Sequence, residues 1–446
     1  MKFFKQQNKI VKNILWLFFD KILRMSLGVL VSIYLAKYLG PTEYGELSFC
    51  VSFLYFFLVV SMLGMEPILV REITKSPSKT DEIISTSIVL RICSGFILFV
   101  VSVLTAFYLY GLSKFFFILI ISFQLFFQAG DVFGSLFLAK VKSKYVVISK
   151  NVGFIISSIL KLILIFLNVS LLTFAYAILI EFFIALLLLI YFFNKSEVEF
   201  KFSYFDTSLA KELLISSSPL ILSSIFYVVY TKLDQVMIEF LSDSEQVGYY
   251  AVANKLSEVW FFIPTVVVNS FYSEIVALKN TNYKKFKDRI LELMTLLSFL
   301  SVILILGFSL FSEVIITFLY GQEYASSVPI FNVHIWSCLI VFSAVVSGVW
   351  YVATDLQKYT FYRTGVGALV NVSLNFALIP LYGGLGAAYA TLGAKILASY
   401  LMNLMNKKTR EVFFLQTEGY INIFKIYPVI LFSKRMIYNL KKQAND

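Results

Sequence analysis

The feature that most limits what this chain can become is a succession of long apolar runs, each bounded by charged or turn-forming residues. They cover roughly 14–39, 47–70, 83–110, 115–139, 145–167, 171–193, 213–241, 247–277, 290–318, 328–353, 361–380 and 384–405. A helix rises 1.5 Å per residue and a bilayer's hydrocarbon core is about 30 Å thick, so about 20 apolar residues cross it. Twelve such runs predict an all-α polytopic membrane protein with twelve transmembrane helices. Composition removes the soluble alternative: 59% of residues are hydrophobic and 15% charged, which leaves too little polar surface to solvate a globular particle. Residues 423–432, IFKIYPVILF, are too short to span, contain Pro428, and read as interfacial.

Lys and Arg outnumber Asp and Glu by 38 to 27, but their placement argues against a nucleic-acid partner. Alternate loops collect nearly all of them. One side holds Lys2, Lys5, Lys9 and Lys12; Arg71, Lys75 and Lys79; Lys140, Lys142, Lys144 and Lys150; Lys195, Lys201 and Lys211; Lys279, Lys284, Lys285, Lys287 and Arg289; Lys358 and Arg363; and the tail from Lys407, Lys408 and Arg410. The other side has Lys37 and Lys114. The positive-inside rule therefore places both termini in the cytoplasm. A thirteenth span would put Lys434, Arg435, Lys441 and Lys442 outside, against the same rule. No A-x-A cleavage site follows the first apolar run, so it reads as an uncleaved helix. Its leading lysines share one helical face, suited to anionic headgroups or simply to water. Cys50, Cys93 and Cys338 are scattered within apolar segments without ligand spacing; they read as packing residues, and no metal site is expected.

The charged stretch NKSEVEFKFSYFDTSLAKE divides the chain into an N-lobe at 1–193, a cytoplasmic linker at 194–212, a C-lobe at 213–405 and a basic cytoplasmic tail at 406–446. Each lobe would hold six helices. Leu39–Gly45 resembles Leu241–Gly248 with one residue inserted, and both join the first two helices of their lobes. The lobe ends match as well: Tyr176 and Ala177 in FAYAILIEFF lie over Tyr389 and Ala390 in AAYATLGAKI. Parallel six-helix repeats of this kind build many alternating-access transporters. No outward loop exceeds a turn, and no G-x-x-x-x-G-K-[ST] phosphate loop occurs, so neither a soluble catalytic module nor direct ATP drive is expected.

LAKYLGPTEYGELSF, followed by GMEPILVREI, resembles the amino-terminal region of the polysaccharide-transporter family of bacterial lipid-linked oligosaccharide flippases, the O-antigen flippases. These belong to the multidrug/oligosaccharidyl-lipid/polysaccharide exporter (MOP) superfamily. The resemblance implies two six-helix bundles forming a V around a central cavity, in the plasma (inner) membrane of a bacterium. It also implies an activity: moving an undecaprenyl-pyrophosphate-linked oligosaccharide from the cytoplasmic to the outer leaflet, with a polysaccharide polymerase and a chain-length regulator as partners alongside the membrane lipids.

A pyrophosphate needs cations at membrane depth, where they are costly. Seven basic residues lie within the apolar runs: Lys21, Arg24, Arg91, Lys161, Lys232, Lys255 and Lys395. Arg24, Lys232, Lys255, Arg91 and Lys161 are the candidate substrate-binding cations, the first three ahead of the other two; the alternative for each is an ion pair that fixes lobe packing, as between Arg24 and Asp20 or Lys255 and Glu258. Lys21 and Lys395 fit snorkelling or packing better. Asp20, Asp131, Glu181 and Asp234 are candidates for coupling to H+ or Na+, with no other cofactor implied. Glu66 before Pro67 suits capping or a hinge, and the single His334 suits a hydrogen bond to a neighbouring helix or a proton relay. Gly383, Gly384 and Gly386 form a turn, and Gly386, Ala390 and Ala394 make a small-residue edge for close helix contact. Pro219, Pro264 and Pro380 can kink or end helices. Other readings are a drug exporter of the same superfamily, which would want a less cationic interior, and a membrane-embedded polymerase or glycosyltransferase, which would want a long outward loop.

Overall fold

The computed structural model describes the backbone of residues 2–112 and 114–424. The side chains of Lys2, Lys5, Lys9 and Lys12 fall outside the described residues, as do residues 425–446 with Pro428, Lys434, Arg435, Lys441 and Lys442. All regular structure among the described residues is helical. In chain order it comprises α1 (Lys2–Ser61), α2 (Glu66–Lys75), α3 (Thr80–Tyr110), α4 (Phe115–Ala139, bent at Gln128–Gly130), α5 (Ser143–Phe166), α6 (Leu171–Asn194) and α7 (Thr207–Leu241). There follow α8 (Ser244–Thr281), α9 (Tyr283–Leu310), α10 (Ser312–Tyr320), α11 (Ser327–Ala353), α12 (Lys358–Tyr382), α13 from Gly384 to Met405, and α14 (Arg410–Asn422).

Ten helical segments among the described residues are long and apolar enough to cross a membrane, where the apolar runs numbered twelve. The difference lies in two segments of 60 and 48 residues, Trp16–Lys75 and Lys358–Met405, which if straight would reach about 90 and 72 Å. Neither is straight. The first is interrupted at Gly40 (φ 69°, ψ 175°) and again at Leu63 and Gly64; the second breaks at Gly383, φ 54°. Gly40 supplies a left-handed φ, and Pro41 restarts the helix without needing its missing N–H. The expected turn over Tyr38–Phe49 is thus compressed to a glycine and a proline, and helix resumes at once. Its counterpart is as tight: α7 ends at Leu241, and Asp243 caps α8 by accepting from the Gln246 N–H at 2.8 Å.

The chain forms two compact units, one ending at Val236 and one beginning at Met237. In the first, Leu69, Ile84, Val132, Leu136, Leu189 and Leu213 join α2, α3, α4, α6 and α7 in one apolar cluster. The expected linker is strapped onto α3: the N–H groups of Glu199, Lys201 and Asp206 donate to Asp81 Oδ1, Ser85 Oγ and Thr86 Oγ1 at 3.2–3.3 Å. Gly153 lets α5 lie against α6, since a Cβ there would run into the Glu181 carbonyl.

In the second unit, Gln246 Oε1 accepts from the Gly384 N–H at 3.0 Å, tying α8 to the α12–α13 turn. A Cβ on Gly386 would collide with the Leu378 carbonyl, and Ala390 and Ala394 are fully buried, so the small-residue edge carries a close helix contact. The tail is more structured than its basic composition suggested. α14 buries Val412, Leu415, Gln416 and Gly419, an i, i+3, i+4, i+7 stripe, with Gly419 against Met294 of α9. Cys50 and Cys338 are buried as expected of packing residues, whereas Cys93 is exposed.

Candidate functional site

Five helices of the first unit bring ionisable side chains together. α5 carries Lys150 seven residues from its start, α4 carries Asp131 eight residues from its end, and α3 carries Arg91 eleven residues in. At 1.5 Å per residue these lie roughly 10–17 Å from the helix ends. Arg24 of α1 is the hub. Its Nε lies 3.1 Å from Asp20 Oδ1, one turn earlier, and its Nη1 lies 3.3 Å from Glu181 Oε1 on α6. Its Nη2 donates to the Lys150 carbonyl, and the guanidinium stacks over Phe154, 5.0 Å from the ring centroid. Lys150 Nζ pairs with Asp131 Oδ1 at 3.0 Å.

Two further cations lie on the same helices, Lys161 about three turns beyond Lys150 on α5 and Arg91 on α3. Arg91 is 2% exposed, yet its Nε and Nη1 make no hydrogen bond among the described residues. Asn151, next to Lys150, is similarly buried, and neither its amide oxygen nor its nitrogen is bonded. Buried donors and acceptors left without partners cost about 1–3 kcal/mol each. A site that retains several is equipped to receive a polar ligand, water or a proton.

The structure therefore gathers Asp20, Arg24, Arg91, Asp131, Lys161 and Glu181 and adds Lys150, which the sequence reading had assigned to a basic loop. The signal was available: Lys150 falls inside the apolar run 145–167. Lys232 and Asp234 lie on α7, which Ser52 of α1 holds by donating to Gln235 Oε1. Lys255 and Glu258 sit in the last turn before α8 bends at Val259–Phe261. Lys395 is buried on α13 with its ammonium 5.0 Å from the Phe261 ring centroid, whereas Lys21 is exposed. Glu66 stands exposed in the first turn of α2 with Pro67, at the break expected of a capping or hinge position. His334 departs from expectation: it is buried edge-on to Tyr250 at 6.0 Å, and neither ring nitrogen has a hydrogen-bond partner among the described residues. The helix breaks at Ile335 and Trp336, the next residues along α11. No group of three His, Cys, Asp or Glu among the described residues could hold a metal ion.

Residues 10–274, more than half of the chain, match the family described as "Polysaccharide biosynthesis protein". The chain belongs to that family. It is 29% identical to "Probable flippase AglR" of Haloferax volcanii over 182 residues, which are 39% of this chain. The match spans 37% of that relative's length. Over 96% of the chain and 99% of the other, its fold is like that of "Lipid II flippase MurJ, inward closed conformation", with a TM-score of 0.72 and 16% identity. It is also like an inward-facing multidrug resistance MATE family transporter of the MOP superfamily, with a TM-score of 0.68 and 12% identity over 93% of this chain and 99% of that one. At such identities the likeness shows the fold, and that fold is the one used by MOP-superfamily transporters. These relatives are flippases and transporters by name, rather than enzymes.

Proposed function

We propose that this protein is a flippase that moves an undecaprenyl-pyrophosphate-linked oligosaccharide, such as an O-antigen repeat unit, to the outer leaflet of a bacterial plasma membrane by alternating access. The observation that carries this reading is the half-buried ion-pair network in the first unit, where Arg24 and Lys150 pair with Asp20, Glu181 and Asp131 on helices that also carry Lys161 and the buried Arg91. A pyrophosphate crossing hydrocarbon needs cations whose own counter-ions can be released. In this proposal Asp20, Asp131 and Glu181, the carboxylates that a phosphate would displace, are the groups that take up H+ or Na+. Lys232, Lys255 and Asp234 belong to the same proposal as further cations and a further coupling carboxylate. The connections at Gly40 and Ser242–Asp243 are tight turns, too short to carry the long loop that a polymerase or glycosyltransferase would want.

The topology that goes with it has twelve spans in two six-helix lobes, 1–193 and 213–405, with both termini cytoplasmic; the breaks at Gly40 and Gly383 would divide the two longest helical segments. One observation favours a second reading, a cation-coupled drug exporter of the same superfamily: Arg24 is already flanked by two carboxylates, so the network is not a bare cationic surface. Proteoliposomes holding the purified protein and a fluorescently tagged undecaprenyl-pyrophosphate oligosaccharide separate the two. Protein-dependent exposure of the tag to an impermeant quencher, lost in Arg24→Ala, is expected of a flippase. Efflux of cationic dyes without movement of the lipid would replace this reading with the exporter.

A further inference from the structure

The second unit contains a cavity of about 390 Å³ where the end of α11, the start of α12 and the end of α13 converge. Its wall includes Tyr351, Lys358, Tyr362, Arg363, Asn403 and Asn406, and none of its lining side chains is a carboxylate. The volume is at the lower end for ligand pockets, which run about 300–1,000 Å³, so it suits a headgroup rather than a sugar chain. Lys358 and Arg363 lie in the first two turns of the 25-residue α12, and Lys407, Lys408 and Arg410 stand exposed nearby in sequence after α13.

A basic helix end that merely obeys the positive-inside rule needs no built wall. This one has a wall braced from behind by buried polar groups. Arg363 stacks on Tyr351 with its guanidinium carbon 5.1 Å from the ring centroid. The Tyr351 hydroxyl donates to Asn403 Oδ1, and Asn403 Nδ2 donates to Gln416 Oε1 at 2.6 Å and to the Ser399 carbonyl at 3.1 Å. Gln416 Nε2 donates to the same carbonyl at 3.2 Å. Ser399 lies in a π-helical turn, Leu397–Leu401, whose wider winding frees its carbonyl for two side-chain amides. Such turns are rare in helices and concentrate at functional sites. Tyr351, Asn403 and Gln416 are buried, so three polar side chains are spent holding this wall in place.

We infer that the cavity binds a phosphate-bearing anion of headgroup size through Arg363 and Lys358. Arginine's planar donors match phosphate oxygens, lysine adds a point charge, and the side chains of Tyr362 and Asn406 offer neutral donors. Exposed Tyr362 and Met405 at the mouth give it an apolar lip, which favours a phospholipid of the surrounding leaflet over soluble phosphate. The inference is independent of what the first unit transports.

The test uses the full chain purified in mild detergent, with binding of phosphatidylglycerol, phosphatidylcholine and inorganic phosphate measured by native mass spectrometry and by thermal shift. Phosphatidylglycerol is expected to bind at least about tenfold more tightly than phosphatidylcholine, and Arg363→Gln with Lys358→Gln to lose about tenfold in affinity, the size of one charge-assisted hydrogen bond or more. Arg363→Lys should retain part of it. Binding of inorganic phosphate with the same dependence on Arg363 and Lys358, but no preference for the lipid, would support the site and assign it to soluble phosphate. Should Arg363→Gln lower the melting temperature without ligand, Lys358→Gln decides alone: Lys358 is exposed at a helix start, where removing a positive charge does not harm folding. No binding by the wild type, or binding unchanged by these substitutions, would overturn the inference.

Discussion

Arg24 illustrates how a cation is kept inside a membrane protein. Taking an ion out of water costs several kcal/mol, and only paired charges and hydrogen bonds recover it. Arg24 has Asp20, Glu181, the Lys150 carbonyl and the Phe154 face. Arg24→Ala should therefore lower both transport and stability, because it strands two carboxylates, at less than the about 3–5 kcal/mol of a fully buried pair since both pairs are only partly buried. Adding Glu181→Gln should restore much of the melting temperature while leaving transport at least about tenfold down; recovery of both would make Arg24 a packing residue. Arg91 behaves differently. Its Nε and Nη1 have no hydrogen-bond partner among the described residues, so Arg91→Met, which keeps volume and removes charge, should leave the melting temperature unchanged or raised while abolishing export. Export at the wild-type rate would remove Arg91 from the site. Arg24 with Asp20 was legible in the sequence as an i, i+4 pair. Glu181 as its second partner was not, because 157 residues separate them.

At the scale of elements, backbone approach decides which glycines matter. Gly386 and Gly153 sit where a side chain would meet a neighbouring backbone, whereas Gly307 of α9 has nothing within 4 Å of its would-be Cβ. Gly386→Val should destabilise the second unit by about 1–3 kcal/mol, the usual cost of overpacking. Gly307→Ala should be neutral or stabilise by up to about 1 kcal/mol through helix propensity. Thermal melting in detergent separates the two, and equal effects would refute the close contact at Gly386. The Gly386, Ala390 and Ala394 edge could be read from spacing alone, since period-four small residues always share a helix face. α14 could not be foreseen with the same ease: its polar Gln416 and small Gly419 hide an apolar stripe that makes sense only against Met294 and Asn403.

For the whole molecule, the proposed topology predicts which loops face which side. Cysteines at Thr42 and Ser244, on a chain lacking Cys50, Cys93 and Cys338, should react with an impermeant thiol reagent in intact cells, and one at Asn282 should not. Labelling at Asn282 would reverse or break the arrangement. The membrane class and the all-helical fold followed from the amino-acid sequence alone, because hydrophobic length and charge placement are local properties that each segment carries by itself. The sequence also placed Gly40 and Gly383 in turns, where left-handed backbone favours glycine. Only the tertiary structure could decide that Lys150 belongs with Asp131, that His334 has no hydrogen bond among the described residues, that the linker is strapped to α3, and that Tyr351, Asn403 and Gln416 brace one wall. Each of those depends on which distant helices come within about 3 Å of one another, a distance at which pairing is decided by packing rather than by spacing along the chain.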